Sequence, residues 1–355
     1  MNRPERAVLV DVALNKAKLN PYDIAELEAL AKTAGAASVG EITQSRENPD
    51  VRYFIGAGKL VELQTKIAET DATMVIFNRD LLPSQTRNLQ DELEIKVIDR
   101  SALILDIFAQ HAHTREGKLQ VEMAQDQYTM THLTGKGIEL SRLGGGIGTR
   151  GPGEIKLEMD RRRIRDRLAQ LRRELEDVRK NRELRRERRR GSNVPVAAIV
   201  GYTNAGKSTL LNTLTRASVL VEDKLFATLD PVTRKLKLPD RKEILLTDTV
   251  GFIQNLPTML VEAFHATLEE VTEADLLIHV VDISHPNLID QMHSVYKVLE
   301  DLKAITKPIL TVFNKVDKYD GDASFLIKKY DPAVTISALK GTGIDDLMTG
   351  MIKLI

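Results

Sequence analysis

The segment from residue 196 to residue 215 constrains the fold more than any other part of the chain. An apolar run, VAAIV at 196–200, leads into GYTNAGKS at 201–208, and the helix-like TLLNTLT follows. A strand, a glycine-containing turn and a helix in this order form a loop whose backbone N–H groups point at phosphate oxygens. The pattern predicts an α/β domain with a mostly parallel sheet, helices on both faces and a phosphate-binding loop at the end of one strand.

This loop, called the P-loop below, is predicted to bind the phosphates of a nucleotide. We expect Lys207 to reach the β- and γ-phosphates and to assist catalysis, and Ser208 to coordinate Mg²⁺. The other predicted contacts come from the residues around them: Gly201, Tyr202, Thr203, Asn204, Ala205, Gly206 and Thr209.

Two later segments predict how the metal ion and the γ-phosphate are held. A strand-like run at 243–247 ends in Asp248-Thr-Val-Gly251. We expect Asp248 to hold Mg²⁺ directly or through water, and the Gly251 amide to sense the γ-phosphate. Between the P-loop and this motif lies LFATLDPVT at 225–233, where a switch loop needs a threonine hydroxyl to complete the Mg²⁺ coordination. Thr228 is the predicted ligand, and Thr233 is the alternative.

The base-recognition motif is predicted at 314–317. A strand-like run ends in Asn314-Lys-Val-Asp317, and Ser337-Ala-Leu339 follows another. The Asp317 carboxylate can accept from guanine N1–H and from its N2 amine, whereas adenine would leave this acceptor unpaired. We expect Lys315 to lie against the base, Asn314 to brace the loop or bind the other edge of the base, and a backbone N–H of Ser337, Ala338 or Leu339 to meet guanine O6. The predicted substrate is therefore GTP rather than ATP.

The catalytic machinery lacks one familiar group. In many GTPases a glutamine after the DxxG glycine orients the attacking water, but here that position is Phe252. We therefore expect slow intrinsic hydrolysis and help from another source. The Asn204 amide oxygen is one candidate, because it could hold K⁺ near the α- and β-phosphates; the alternative is that Asn204 only stiffens the loop. The predicted catalytic residues are Lys207, Thr228, Gly251 and Asn204.

The sequence before the P-loop predicts a separate α/β domain and a helical hairpin. Strand-like runs at 7–12, 74–78 and 96–98 alternate with helix-like stretches at 21–33, 59–69 and 84–94, which indicates βαβ units and a parallel sheet. A helix from 117 to about 133, a glycine-rich loop at 143–154 and an amphipathic helix to about 190 follow. We predict domains at 1–114 and 115–190 and a G domain at 191–355.

Charge is distributed unevenly along the chain. Lys plus Arg and Asp plus Glu each number 51, so the formal net charge is zero. Residues 150–190, however, hold 17 Lys and Arg against 9 Asp and Glu, a net charge of +8. The basic runs RRRIRDR at 161–167 and RRERRR at 185–190 predict a surface for RNA or another polyanion. The alternative is a solvated helix with charge pairs four residues apart.

Composition excludes several other classes. The chain has no cysteine, which rules out a disulfide scaffold and a thiolate metal site. No apolar run approaches the roughly 20 residues of a membrane-spanning helix, and the first residues show no signal segment. We expect a soluble, cytoplasmic protein without a membrane span, and a monomer.

Together these motifs resemble the HflX family of translational GTPases over nearly the whole chain. The most specific elements are SRLGGGIGTRGPGE at 141–154, LEMDRRRI at 157–164, GYTNAGKS at 201–208, LFATLDPVTR at 225–234 and DTVGFI at 248–253. The resemblance implies an N-terminal α/β domain with a helical hairpin before the G domain. It also implies association with the large ribosomal subunit and its rRNA, and in some members the splitting or rescue of stalled or stress-inactivated ribosomes.

Two other functions stay open at this point. One is an RNA-remodelling NTPase with a second nucleotide site in the N-terminal domain, where FIGAGK at 54–59 follows an apparent strand and opens a helix; a tight turn is the simpler interpretation. It predicts ATP hydrolysis that survives Asp317→Asn. The other is a GTP-dependent scaffold for a protein partner, which predicts no sedimentation with ribosomal subunits.

Overall fold

A computed structural model describes residues 4–15, 19–133, 152–190, 194–215, 224–254 and 265–355. These residues form two compact units. The first comprises Met1–Gln110 and Leu119–Leu175, and the second comprises His111–Lys118 and Glu176–Ile355. Among the described residues, no helix combines the length and the apolar character needed to cross a membrane.

The first unit contains a four-stranded parallel sheet in the order β2-β1-β3-β4. Its elements alternate as predicted: β1 (Arg6–Ala13), α1 (Pro21–Thr33), β2 (Ala37–Ser45), α2 (Ala57–Thr70), β3 (Met74–Phe77), α3 (Pro83–Leu93), β4 (Lys96–Ile98) and α4 (Arg100–His111). Seven of the eight residues of β1 are buried, because this strand lies inside the sheet. The strand expected before FIGAGK is wrong: residues 50–54 form a turn closed by Asp50 and Phe54.

Two long helices follow the N-terminal sheet, namely α5 (Arg115–His132) and α6 (Pro152–Arg190). Within the first unit they are joined by an ion pair between Glu122 and Arg167, and α6 buries Leu168 and Leu171. Residues 143–151 of the predicted glycine-rich loop lie outside the described residues, whereas residues 152–154 already belong to α6. Proline suits the first turn of a helix, because an N–H there has no partner within the helix.

The second unit contains a six-stranded sheet in the order β10-β9-β8-β5-β7-β6. Every neighbouring pair is parallel except β6 and β7. Its elements are β5 (Val196–Gly201), α7 (Lys207–Thr215), β6 (Val232–Lys237), β7 (Glu243–Asp248), α8 (His265–Glu273), β8 (Leu276–Asp282), α9 (Leu288–Asp301), β9 (Ile309–Asn314), α10 (Ser324–Lys329), β10 (Ala333–Thr335) and α11 (Ile344–Leu354), with a 3₁₀ turn at Val316–Lys318. This confirms the predicted fold class.

The carboxyl ends of four parallel strands meet at one edge of this sheet. Gly201, Asp248, Asp282 and Asn314 are the last residues of β5, β7, β8 and β9. Asp282 lies directly opposite Asn314 in the register of β8 and β9. In α/β sheets this edge is where ligands bind, and the predicted motifs fall on it because each follows one of these strands.

Candidate functional site

The P-loop is held in its turn by a contact with the end of β9. Gly206 has φ +96°, a conformation that favours glycine, and a Cβ at this position would overlap Asn314 Nδ2. That amide nitrogen donates to the Ala205 carbonyl at 2.9 Å, while Asn314 Oδ1 accepts from Ala338 N at 2.9 Å. Asn314 therefore ties the P-loop to the 337–339 loop.

Lys207 lies at the start of α7 with a side chain that is almost fully buried. Its ammonium group donates to the carbonyls of Tyr202 at 2.8 Å and Gly201 at 3.2 Å. Burial lowers the pKa of Lys207 to about 8, against the attraction of the Asp248 carboxylate. The protein therefore stabilises the charged form of Lys207 poorly. This is expected of an ammonium group that binds an anionic ligand such as a phosphate.

Ser208, Thr228 and Asp248 converge on one point. The Ser208 hydroxyl donates to Asp248 Oδ2 at 2.6 Å and lies 2.9 Å from Thr228 Oγ1. Burial raises the pKa of Asp248, and its Oδ1 atom has no hydrogen-bond partner in the described structure. A buried oxygen without a donor beside two hydroxyls fits Mg²⁺, which takes oxygen ligands and completes its shell with water and phosphate. The alternative ligand, Thr233, instead lies on β6 and faces Thr247 at 3.0 Å.

The DTVG motif is fastened to the P-loop by backbone hydrogen bonds. Phe252 N donates to the Gly201 carbonyl at 3.1 Å, and Thr203 N donates to the Phe252 carbonyl at 2.7 Å. Two residues after Phe252, Gln254 N donates to the Tyr202 hydroxyl at 2.8 Å. The Phe252 side chain is fully buried, so this position contributes packing and no group that could orient water.

The predicted base-recognition residues lie together on the loops after β9 and β10. The Ser337 hydroxyl donates to Asp317 Oδ1 at 2.6 Å, and this hydrogen bond lowers the pKa of Asp317. Lys315 pairs with Asp282 through Nζ and Oδ2 at 2.7 Å, and Leu339 is 76% exposed. The structure thus presents an ionised acceptor and an open apolar side chain at this edge of the sheet.

A cleft that is open to solvent, with about 440 Å³ of empty space, lies between the P-loop and the loop before β6. We call residues 224–231 the switch loop. The cavity is lined by Thr203, Asn204, Gly206, Lys207, Ser208, Thr209, Lys224, Phe226, Ala227, Thr228 and Gly251. Eight of these are predicted site residues; Lys224, Phe226 and Ala227 are not, although two of them belong to the segment identified as a switch. Asp282 was also missed, and its position at a strand end was the available signal.

Three known families match consecutive parts of the chain. The family described as GTP-binding GTPase N-terminal matches residues 22–109, and the one described as GTP-binding GTPase Middle Region matches residues 111–189. The family described as 50S ribosome-binding GTPase matches residues 196–315. The third match covers the P-loop, the switch loop and the DTVG motif.

Curated relatives match over almost the whole chain. A protein named GTPase HflX from Lacrimispora saccharolytica is 52% identical over 344 residues, which is 97% of this chain and 81% of the relative. GTPase HflX from Escherichia coli is 44% identical over 358 residues, which is 98% of this chain and 82% of the relative. Among solved structures, a GTP-binding protein from Sulfolobus solfataricus in complex with GDP matches with a TM-score of 0.51 and 27% identity, covering 99% of this chain and 98% of that one.

Proposed function

The chain belongs to the HflX family of GTPases, and from that premise we propose that GTP bound at the edge of its six-stranded sheet controls association with the large ribosomal subunit. Hydrolysis of GTP to GDP and phosphate is the activity of the family. The observation that carries the proposal is a nucleotide cavity in the same chain as a helix with exposed arginines, four of which form no ion pair in the described part of the chain. The description of the matching family as ribosome-binding supports this choice of partner.

The residues around the cavity divide the work of binding GTP and Mg²⁺. Ser208, Thr228 and Asp248 would hold Mg²⁺, which would neutralise charge on the β- and γ-phosphates. Lys207, whose ammonium group lies beside Gly251, would supply a second positive charge. The Gly251 amide would donate to the γ-phosphate, and Thr228 would coordinate the Mg²⁺ bound to it. Loss of the γ-phosphate would therefore release both residues from the site.

Guanine would be recognised by the two loops beyond β9 and β10. Asp317, held by Ser337, offers the ionised acceptor for guanine N1–H and the N2 amine. Lys315, held by Asp282, would lie against the base. Ser337 N donates to the Thr342 carbonyl and Ala338 N donates to Asn314 Oδ1. Of this loop, the Leu339 amide is the one that would meet guanine O6.

Asn204 would bind a monovalent cation such as K⁺ as an aid to hydrolysis. It lines the cavity, its side chain is exposed, and its backbone is left-handed with φ 59°. Phe252 is buried and stands where many GTPases have a glutamine that orients the attacking water. A cation held by Asn204 would instead stabilise the negative charge that develops on the phosphates.

The partner surface would be the exposed face of α6. Arg162, Arg165, Arg172 and Arg173 are exposed and have no ion pair within the described part of the chain. The side chains of the second basic run, 185–190, lie outside the described residues. Guanidinium groups that are not paired with a carboxylate of the protein can make bidentate contacts with phosphates of rRNA. GTP would favour the binding-competent state, and hydrolysis would release it.

Co-sedimentation with ribosomes tests this proposal. The chain is incubated with 50S subunits and with 70S ribosomes in GTP, GDP or a non-hydrolysable GTP analogue, and the salt concentration is varied. We expect tighter binding with the analogue than with GDP. Dissociation of 70S ribosomes in the presence of GTP would identify splitting as the outcome of binding. Binding that ignores the nucleotide would contradict the switch, and no binding would favour a protein partner.

A matched pair of variants tests the arginine face. Arg162→Gln, Arg165→Gln and Arg172→Gln are combined in one variant; Lys237→Gln, Lys297→Gln and Lys353→Gln, all exposed, remove the same charge elsewhere. If each arginine contacts one phosphate, the slope of log affinity against log salt falls by about 0.7 per arginine. The lysine variant should keep the original slope. Equal slopes in the two variants would contradict an RNA contact through α6.

A further inference from the structure

We propose that Asp230 is a positioning residue for GTP hydrolysis: it fixes the switch loop by accepting hydrogen bonds at the N-terminus of α5, more than a hundred residues earlier in the chain. Asp230 follows Thr228 by two residues and precedes β6 by one proline. Its carboxylate is hydrogen-bonded to the residues just before α5, and Asp230 is not among the residues that line the nucleotide cavity. The proposal rests on the role of Thr228 as a Mg²⁺ ligand that is proposed above.

The Asp230 carboxylate receives three hydrogen bonds from a segment more than a hundred residues earlier. Oδ2 accepts from the backbone N–H of His113 and of Thr114, each at 2.9 Å. Oδ1 accepts from the Thr114 hydroxyl, and Thr114 Oγ1 in turn accepts from Gly117 N at 3.0 Å. Asp230 and Thr114 therefore cap the N-terminus of α5 together, where free amides favour a negative charge. All of these residues lie within the second compact unit.

Gly117 provides the space that this cap occupies. A Cβ at residue 117 would overlap Asp230 Oδ1 and would come within 3.2 Å of Thr114 Oγ1. The close approach of the carboxylate to the helix therefore requires glycine at this position. This is independent evidence that the switch loop and the first turn of α5 fit each other, because it concerns the shape of the helix and not the hydrogen bonds.

Fixing Asp230 restricts Thr228, because two residues span at most about 7 Å. Leu229 between them and Phe226 before them are each 2% exposed, so the loop is packed as well as hydrogen-bonded. In this state Thr228 Oγ1 lies 2.9 Å from Ser208 Oγ. Without the cap, the loop would have more conformations to lose when Thr228 closes over Mg²⁺. The cap thus lowers the entropic cost of closing the site for GTP.

Two substitutions remove the cap in different ways. Asp230→Asn keeps the shape of the side chain but removes its negative charge, so the hydrogen bonds from the His113 and Thr114 amides lose their charge assistance. Gly117→Ala keeps Asp230 and displaces its carboxylate. Alanine also has the higher helix propensity, so a loss of activity in this variant does not arise from a weaker α5. Asp240→Asn, in the exposed turn between β6 and β7 where Asp240 accepts from Lys242 N, is the control.

The experiment measures GTP hydrolysis by the full chain as a function of Mg²⁺ concentration, and GDP affinity in parallel. We expect the half-saturating Mg²⁺ concentration to rise about tenfold in Asp230→Asn and Gly117→Ala, the change that corresponds to one lost charge-assisted hydrogen bond. GDP affinity should stay within about twofold, since GDP has no γ-phosphate for Thr228 to close over. Asp240→Asn should match the unmodified chain in both measurements.

Three results would overturn the proposal. The first is an unchanged Mg²⁺ requirement in either variant while Thr228→Ala raises it, because the threonine then acts without its anchor. The second is a parallel loss of GDP affinity and hydrolysis in the Asp230 and Gly117 variants, because the cap then only holds the fold. The third is an unchanged Mg²⁺ requirement in Thr228→Ala itself, which removes the proposed metal ligand and leaves nothing for Asp230 to position.

Discussion

Lys207 carries a charge that the nucleotide-free protein stabilises poorly, and this has a measurable consequence for stability. Burial lowers its pKa from 10.5 to about 8. The unfolded chain therefore binds a proton at this residue over a range of pH in which the folded protein has released it. Since stability rises with pH wherever the unfolded state binds more protons, the free energy of unfolding should increase between pH 8 and pH 10.5 through this residue.

The magnitude follows from the difference between the two pKa values. A shift of one unit corresponds to about 1.4 kcal/mol, so the charged Lys207 weakens the fold by about 3 kcal/mol below its folded pKa. This cost disappears when the side chain is neutral in both states. A neutral amine still donates to the Gly201 and Tyr202 carbonyls, so the loss of the charge does not remove these hydrogen bonds.

Urea unfolding of the nucleotide-free chain tests this at several values between about pH 7 and pH 10.5. Lys207→Met removes the titrating group, and Lys237→Met removes an exposed lysine of β6 as the control. The free energy of unfolding of the original chain, minus that of Lys207→Met, should rise by about 3 kcal/mol across this range. The free energy of unfolding of the original chain minus that of Lys237→Met should not change with pH. A constant difference for Lys207→Met, or one that falls with pH, would refute the reasoning.

Two further predictions concern the nucleotide itself. Asp317→Asn should shift the preference from guanine toward xanthine, because the amide offers a donor to the xanthine C2 carbonyl. When GTP and XTP are compared side by side, the variant should hydrolyse XTP faster than GTP. Retained selectivity for GTP would contradict the assignment of Asp317. Replacing Na⁺ with K⁺ should raise the hydrolysis rate of the original chain and not of Asn204→Ala, and an equal rate in both salts would remove the cation from the proposed mechanism.

The grouping of the candidate site residues could be predicted because these residues follow strand ends in a fixed order. A parallel sheet brings the residues after β5, β7 and β9 to one edge regardless of their distance along the chain. The sequence pattern needs only the strands and their last residues, and both are visible in the apolar runs before Gly201, Asp248 and Asn314. Thr233, the alternative to Thr228, belongs to β6 and pairs with Thr247 of the neighbouring strand β7.

Other parts of the fold give weaker signals in the sequence. Strand β2 (ASVGEITQS) was missed because it lies at the edge of its sheet, where most of its side chains are only half-buried and polar residues interrupt the pattern. The segment before α2 was mistaken for a strand, although Asp50 and Phe54 close a turn there. Periodicity identifies buried strands more reliably than exposed ones, because only burial on both faces demands a continuous apolar run.

The contacts of Asp230 and Asp282 could not be predicted, because they depend on side chains that meet across long separations. Asp282 ends β8 and is visible as a charged residue at a strand end, but its partner Lys315 becomes evident only from the register of β8 and β9. Asp230 has no such signal, since the amides that it caps lie at 113 and 114. A sequence pattern describes a single helix or strand, whereas Asp230 and Asp282 each bond to residues of a different element.

The groups that weaken the nucleotide-free fold are also those that recognise the ligand. Lys207 is charged and buried, and Asp248 Oδ1 and Thr203 Oγ1 are buried without a hydrogen-bond partner in the described structure. Each unpaired polar atom costs about 1–3 kcal/mol. Phosphate oxygens and Mg²⁺ would supply the missing partners, and a ligand present at about 1,000 times its Kd stabilises the folded state by about 4 kcal/mol. Substitutions that relieve these costs should therefore stabilise the free protein and weaken nucleotide binding together.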